Sequence, residues 1–180
     1  MFSKTVNGID MNPWDLDPRI VTVEHIASVL ARINRYAGHW VYPISVARHC
    51  IILTDTLKER GHNSLIQLQG LLHDASEAYT QDIPSPLKAM LKIAGPPWYE
   101  DVSYSEFENA LLGRIFTQLG VPLPIDPEVV RADKDAYDDE IPIIRGQKKP
   151  KFLCDPEVCA IVFERRARDL MHKLGIPYPG

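Results

Sequence analysis

Wherever this chain turns apolar, it does so at intervals of three and four residues. Val23, Ile26, Ala27, Leu30 and Ile33 keep that interval, as do Ile44, Ala47 and Ile51, and again Phe107, Leu111, Leu112, Ile115, Phe116 and Leu119. Such spacing gathers the apolar side chains on one helical face, and a face of that kind is stable only when another element covers it. No segment sustains the alternation of a half-buried strand. The 15 prolines cluster at the ends and between these stretches, where they act as punctuation.

The pattern predicts helices over about 21–33, 43–61, 64–79, 85–94, 98–119, 126–139 and 156–173. Thr22 is placed to cap the first, Pro43 suits the opening turn of the second, and Gly120 and Gly175 close two others. Residues 1–18 read as an irregular leader, and 141–152 (IPIIRGQKKPKF) as a basic loop with a possible short strand. The expected fold is all-α: a single domain over 1–180, a bundle of about seven helices. A length of 180 residues and a hydrophobic content of 45% suit one ordinary domain.

A net charge of −4 argues against a general electrostatic grip on nucleic acid or acidic lipid, so neither is an expected partner. Cys50, Cys154 and Cys159 form no C-x-x-C pair and have no His or Cys cluster beside them. They read as small hydrophobes of a reducing compartment rather than zinc-finger ligands. With no signal-type apolar stretch at the N-terminus and no apolar run long enough to span a membrane, the expected location is the cytoplasm. The P-loop, the G-x-G-x-x-G turn, H-E-x-x-H and G-x-S-x-G are all missing.

The chemistry lies in Leu71-Leu72-His73-Asp74-Ala75-Ser76-Glu77. An imidazole and a carboxylate directly after two core-type leucines need polar partners, and a divalent metal would satisfy both. His49 and Asp133 also follow apolar stretches, on two other predicted helices. Two His and two Asp make a mixed N/O set that suits Zn, Mn, Fe, Co or Ni better than Ca. Glu77 falls four residues after His73 and three after Asp74, on the same helical face, placed to orient or deprotonate a metal-held water.

The order His49, His73-Asp74, Asp133 resembles the H…HD…D pattern of the HD-domain metal-dependent phosphohydrolase superfamily. The run from His73 through Asp82-Ile83-Pro84-Ser85-Pro86 to Lys88 is similar to its YfbR-like 5′-deoxynucleotidase branch, as are Asn34-Arg35-Tyr36 and Ser45-Val46-Ala47-Arg48-His49. Arg35-Tyr36-Ala37-Gly38-His39 is closer in wording to phage-encoded relatives, the DatZ-like dATP triphosphohydrolases. The resemblance covers about residues 20–140, leaving the helix at about 156–173 unmatched.

It implies an HD-type helical domain with one divalent metal ion (Zn, Co or Mn, with Mg also admissible) on His49, His73, Asp74 and Asp133. Glu77 would be the catalytic acid/base and Asp82 the assisting carboxylate. Arg35 would grip phosphate with its fork and Lys88 as a point charge, while Tyr36, often Trp in relatives, would wall the sugar. The implied activity is hydrolysis of deoxynucleotide phosphates, first a dNTP releasing deoxynucleoside and triphosphate, alternatively a dNMP. Lys134, Lys148, Lys149 and Lys151 are available for a longer phosphate chain. A homo-oligomer is expected from the relatives, and a non-catalytic nucleotide sensor is the competing class.

Each residue also has a plainer reading. Asp133 belongs to an acidic stretch that would ordinarily be solvated, and Asp135 faces away if Asp133 faces in. Asp82 could cap the next helix or close an Asx-turn. Lys88 could lie on the surface, and Lys148-Lys149-Pro150-Lys151 could be a solvated loop. His39 reads as a turn residue. Trp14, Trp40 and Trp98 read as packing or lid residues, with base stacking open to the last two.

Overall fold

The structure, a computed structural model, describes residues 3–4, 8–39, 41–96, 100–150 and 155–178. It is all-α in architecture. In chain order the helices are α1 (Val23–Leu30), α2 (Val46–Glu59), α3 (Ser64–Leu72), α4 (Glu77–Thr80), α5 (Ser85–Lys88), α6 (Tyr104–Leu119), α7 (Pro127–Ile144) and α8 (Pro156–Leu174). Two antiparallel pairs of two-residue strands, Ser3–Lys4 with Asp10–Met11 and Lys92–Ile93 with Val102–Ser103, and two short 3-10 turns, Pro18–Ile20 and Arg35–Gly38, complete the regular structure among the described residues.

Helix starts follow the capping chemistry. Thr22, Ser45 and Asn63 each accept a backbone N–H from the first turn of α1, α2 and α3, and Ser103 with Glu106 forms a reciprocal capping box on α6. Asp126 and Asp155 cap α7 and α8, each followed by a proline in the first turn. Gly120 and Gly175, both left-handed, close α6 and α8 as expected.

Several boundaries differ from the sequence pattern. The second helix starts at Val46 behind its Ser45 cap, so Pro43 precedes it rather than sitting in its opening turn. The helix expected over 64–79 stops at Leu72, and residues 73–76 form tight turns before α4 resumes. The helices expected over 85–94 and 98–119 shorten to α5 and α6, because Lys92–Ile93 pairs with Val102–Ser103. The helix expected to end at 139 runs on through Pro142 to Ile144, so 141–144 is helix rather than loop or strand. Pro142 removes one backbone donor, yet Ile143 is buried and Arg145 still donates to the Ile141 carbonyl at 3.1 Å. The leader is tied down as well: Trp14 packs on Phe107 with ring centroids 4.7 Å apart, and Arg114 donates to the Trp14 and Pro13 carbonyls.

The α2–α3 pair is contacted by both α7 and α8, and α8 also packs along α1. Phe163, Ala167 and Met171 of α8 join Ile26 and Leu30 of α1, Leu68 and Leu72 of α3 and Ile115 and Phe116 of α6 in one core. A smaller second core, Leu53 and Leu57 of α2 against Val129 and Ala132 of α7, seats α7. Gly70 permits the close crossing of α2 and α3: a Cβ there would run into the Leu57 side chain and come within 2.7 Å of Leu53 Cδ2. Cys50 and Cys159 are buried, while Cys154 lies outside the described residues. No helix among the described residues is long and apolar enough to cross a membrane.

Candidate active site

The site lies where α2, α3 and α7 meet. His49, in the first turn of α2, is buried, and its Nδ1 faces Glu140 Oε1 at 3.3 Å. An ionised carboxylate only accepts, so Nδ1 carries the proton and the Nε2 lone pair points the other way. That nitrogen lies 3.0 Å from Asp133 Oδ1 and 3.9 Å from Asp74 Oδ2.

His73 reaches the same place by a different device. At the end of α3 the N–H groups of Ala75, Glu77, Ala78 and Tyr79 each donate three residues back, a tighter ladder than the helix before it. His73 Nδ1 meets the Gly70 carbonyl at 2.8 Å, so its Nε2 is again the unprotonated nitrogen of the neutral ring. It sits 3.2 Å from Asp74 Oδ2 and 3.7 Å from Asp133 Oδ1. The two imidazole rings are 5.3 Å apart, centroid to centroid.

Both Nε2 atoms are buried, and neither has a hydrogen-bond partner among the described residues. Two lone pairs aimed at two carboxylates repel unless positive charge lies between them. A proton is one such charge: burial opposes imidazolium at His73, yet the Asp74 and Asp133 carboxylates hold its pKa well above the ordinary value. Burial likewise works against the Asp74 and Asp133 carboxylates, but the surrounding His73, His49 and, for Asp74, Arg35 charges keep both well below the usual carboxylate range. A metal ion is the other such charge. His49, His73 and Asp74 present ligand atoms within 4.8 Å of one another and could hold one. The donors, imidazole nitrogen and carboxylate oxygen, fit a transition metal or zinc, with both rings oriented through Nδ1 as ligating histidines require.

Beside this cluster opens a cavity of about 750 Å³, with Asp74 and Asp133 in its wall. Glu77, Asp82, Arg35, Tyr36 and Lys88 line it too. Glu77 is buried, and desolvation together with the Asp74 and Asp82 charges pushes its carboxyl up to about 9. Lys88 Nζ lies 3.5 Å from Glu77 Oε1 and bonds both oxygens of Glu108 at 2.8 and 2.9 Å. Arg35 is buried too, its Nε 3.2 Å from Glu140 Oε2 and its Nη1 3.6 Å from Asp74 Oδ2. Asp82 accepts the Tyr36 N–H at 2.7 Å, which makes it a support for the Arg35–Gly38 turn as well as a wall of the cavity.

No protein-family model matches the chain. It is 30% identical over 132 residues to the uncharacterized protein YfdR of Escherichia coli (strain K12), a match covering 73% of this chain and 66% of that protein. It is 26% identical over 139 residues to the uncharacterized protein RCAP_rcc00048 of Rhodobacter capsulatus, covering 75% of this chain and 66% of that one. The chain therefore spans just under two thirds of each relative's own length.

The structure thus gathers all nine residues singled out in the sequence. Asp135, as expected, faces away and pairs with Arg60 at 2.8 Å. Of the lysines offered for a longer phosphate chain, Lys134 lines the cavity, Lys148 and Lys149 do not, and Lys151 lies outside the described residues, as do Trp40 and Trp98. His39 is an exposed turn residue. Sequence reasoning missed three residues: Glu140 behind His49, Glu108 on Lys88, and Tyr137, whose ring lies 6.1 Å from that of Tyr36. Tyr137 and Glu140 fall four and seven positions after Asp133, on its helical face; the first was readable within the expected helix over 126–139, the second only once α7 is known to continue past Asp139.

Proposed function

We propose that this chain is an HD-type metal-dependent phosphohydrolase acting on deoxynucleotide phosphates. The observation that carries the reading is the pair of buried Nε2 atoms aimed at Asp74 and Asp133, with Glu77 facing the adjoining cavity. His49, His73, Asp74 and Asp133 would hold one divalent ion, zinc, cobalt or manganese, and magnesium is also admissible. Such an ion supplies Lewis acidity, lowering the pKa of water and polarising a phosphoryl oxygen.

The chain's own residues do the rest. Glu77, whose neutral form is favoured by burial and by the Asp74 and Asp82 charges, is suited to give a proton to the leaving oxygen, and a cation neutralising Asp74 would lower its pKa and let it first accept one from water. Arg35, paired with Glu140 at Nε and donating from Nη2 to the Tyr36 hydroxyl, lines the cavity, where a guanidinium could grip phosphoryl oxygens. Lys88 adds positive charge next to Glu77. The Tyr36 and Tyr137 rings offer a flat wall for sugar or base.

For a dNTP, with release of deoxynucleoside and triphosphate, Lys134 is the further cation on the cavity wall. That Lys148 and Lys149 do not line it favours the shorter substrate, a dNMP, as the second reading. The test is a screen of the purified protein against NMPs, dNMPs, NTPs and dNTPs with Mn, Co, Mg or Zn, followed by identification of phosphate or triphosphate among the products. Glu77→Ala is expected to keep the bound cation and lose turnover. His73→Ala and Asp74→Ala are each expected to lose the cation by elemental analysis. Nucleotide binding without turnover under every metal would replace the hydrolase with a sensor.

A further inference from the structure

Glu140 is, with Glu77, one of two buried carboxylates of the site, and it faces no substrate space: it is absent from the cavity wall, on which Arg35 and Asp133 lie. Its two oxygens serve two different residues. Oε1 meets His49 Nδ1 at 3.3 Å, and Oε2 lies 3.2 Å from Arg35 Nε. His49 Nδ1 presents an N–H to Oε1, while the Arg35 guanidinium pairs with Oε2 by charge rather than through an aligned hydrogen bond, so an ionised carboxylate serves both.

We propose that Glu140 is a positioning residue that locks the His49 tautomer and the Arg35 guanidinium with one carboxylate, and so fixes the distance between the cation and the phosphate grip. The role rests on the metal-dependent reading of the site but concerns this chain's own hydrogen bonding. Without the acceptor on Nδ1, His49 is free to move its proton to Nε2, which removes a donor from the cation cluster. Without the carboxylate beside Nε, the Arg35 guanidinium loses the ion pair that holds it at the cavity wall. Because Glu140 follows Asp133 by two turns of α7, a single helix supplies one cation ligand and the support of another.

The first measurement needs no variant. Nitrogen-15 NMR of the wild-type protein in chelator is expected to show His49 protonated at Nδ1; a ring protonated at Nε2 alone overturns the proposal. The second compares Glu140→Gln with wild type. The amide lacks the charge that faces both neighbours, so affinity for Co²⁺ by calorimetry should fall by about 10–100-fold, with inorganic phosphate binding weakened in the same variant. Glu140→Asp, which keeps the charge on a shorter arm, should recover part of both. If Glu140→Gln, folded by its melting curve, binds Co²⁺ and phosphate within about threefold of wild type, Glu140 is only a filler of space. If wild type itself takes up no divalent cation, the metal-dependent reading fails, while the His49 tautomer and the phosphate affinity of Glu140→Gln still decide the role of Glu140.

Discussion

Tyr36 and Ala37 are consecutive non-glycine residues in the left-handed region, at φ 57° and 53°. Each costs roughly 1–2 kcal/mol, and such strain persists only where neighbours enforce it. The enforcing contact on Tyr36 is the Asp82 carboxylate on its N–H, with Arg35 N–H held by the Ile44 carbonyl at 2.9 Å just before it. Asp82 thus sets where Arg35 and Tyr36 stand in the cavity. Asp82→Ala should lose about 1.5–3 kcal/mol of support for the turn and at least about tenfold in kcat/KM on the phosphate substrate. Asp82→Asn, which keeps an oxygen acceptor, should retain most of both. Steady-state kinetics on the two variants separates positioning from proton transfer, since a carboxylate that moves protons would be as badly missed in Asp82→Asn. Both the Asx-type and the catalytic readings of Asp82 could be formed from the sequence, but its actual partner could not, because Tyr36 is 46 residues away and left-handed backbone there carries no glycine to announce it.

At the scale of elements, the legible helices were those with a local signal at an end. Thr22 before α1 and the glycines after α6 and α8 are such signals, whereas α2 was placed by Pro43 and its actual cap is Ser45. The break of α3 at His73 was not legible, because every residue from Leu72 to Tyr79 is compatible with a helix and the tightening comes from the Gly70 carbonyl bonding His73 instead. The inference that Glu77 shares a face with Asp74 survives, since a three-residue turn also returns to the same side. The end of α7 was misread because Asp138-Asp139 followed by Pro142 resembles a stop; Ile143 burial and the two partners of Glu140 override it. The α2–α3 crossing at Gly70 places the helix bearing His49 beside the helix end bearing His73. Gly70→Ala would press a methyl group into Leu53 and Leu57, both fully buried, and force the helices apart. Urea unfolding should report a loss of about 1–3 kcal/mol, and cation titration of the folded variant a weakened site. Undiminished cation affinity would mean that the two histidines do not depend on that crossing.

For the molecule as a whole, the two cores are unequal, and the difference falls on the candidate site. α8, α1, α3 and α6 share the large core, whereas the described buried side chains of α7 are Val129, Ala132, Ile143 and the charged Glu140. α7 therefore depends on the site for much of its seating: Asp133 on His49 and His73, and Glu140 on His49 and Arg35. Opening α7 away from α2 would separate Asp133 from both imidazoles, so on the proposed function a bound cation opposes that opening. At a cation concentration of 100 times its Kd the linkage amounts to about 2.7 kcal/mol, or roughly 100-fold in the protection of amides that exchange through that opening. Hydrogen exchange followed by mass spectrometry is thus expected to find α7 the first long helix to exchange in chelator, ahead of α3 and α8, and to find its protection restored by Co²⁺ or Mn²⁺. Exchange of α7 in step with α8 in chelator would show instead that the small core of Leu53, Leu57, Val129 and Ala132 holds the helix without help from the site.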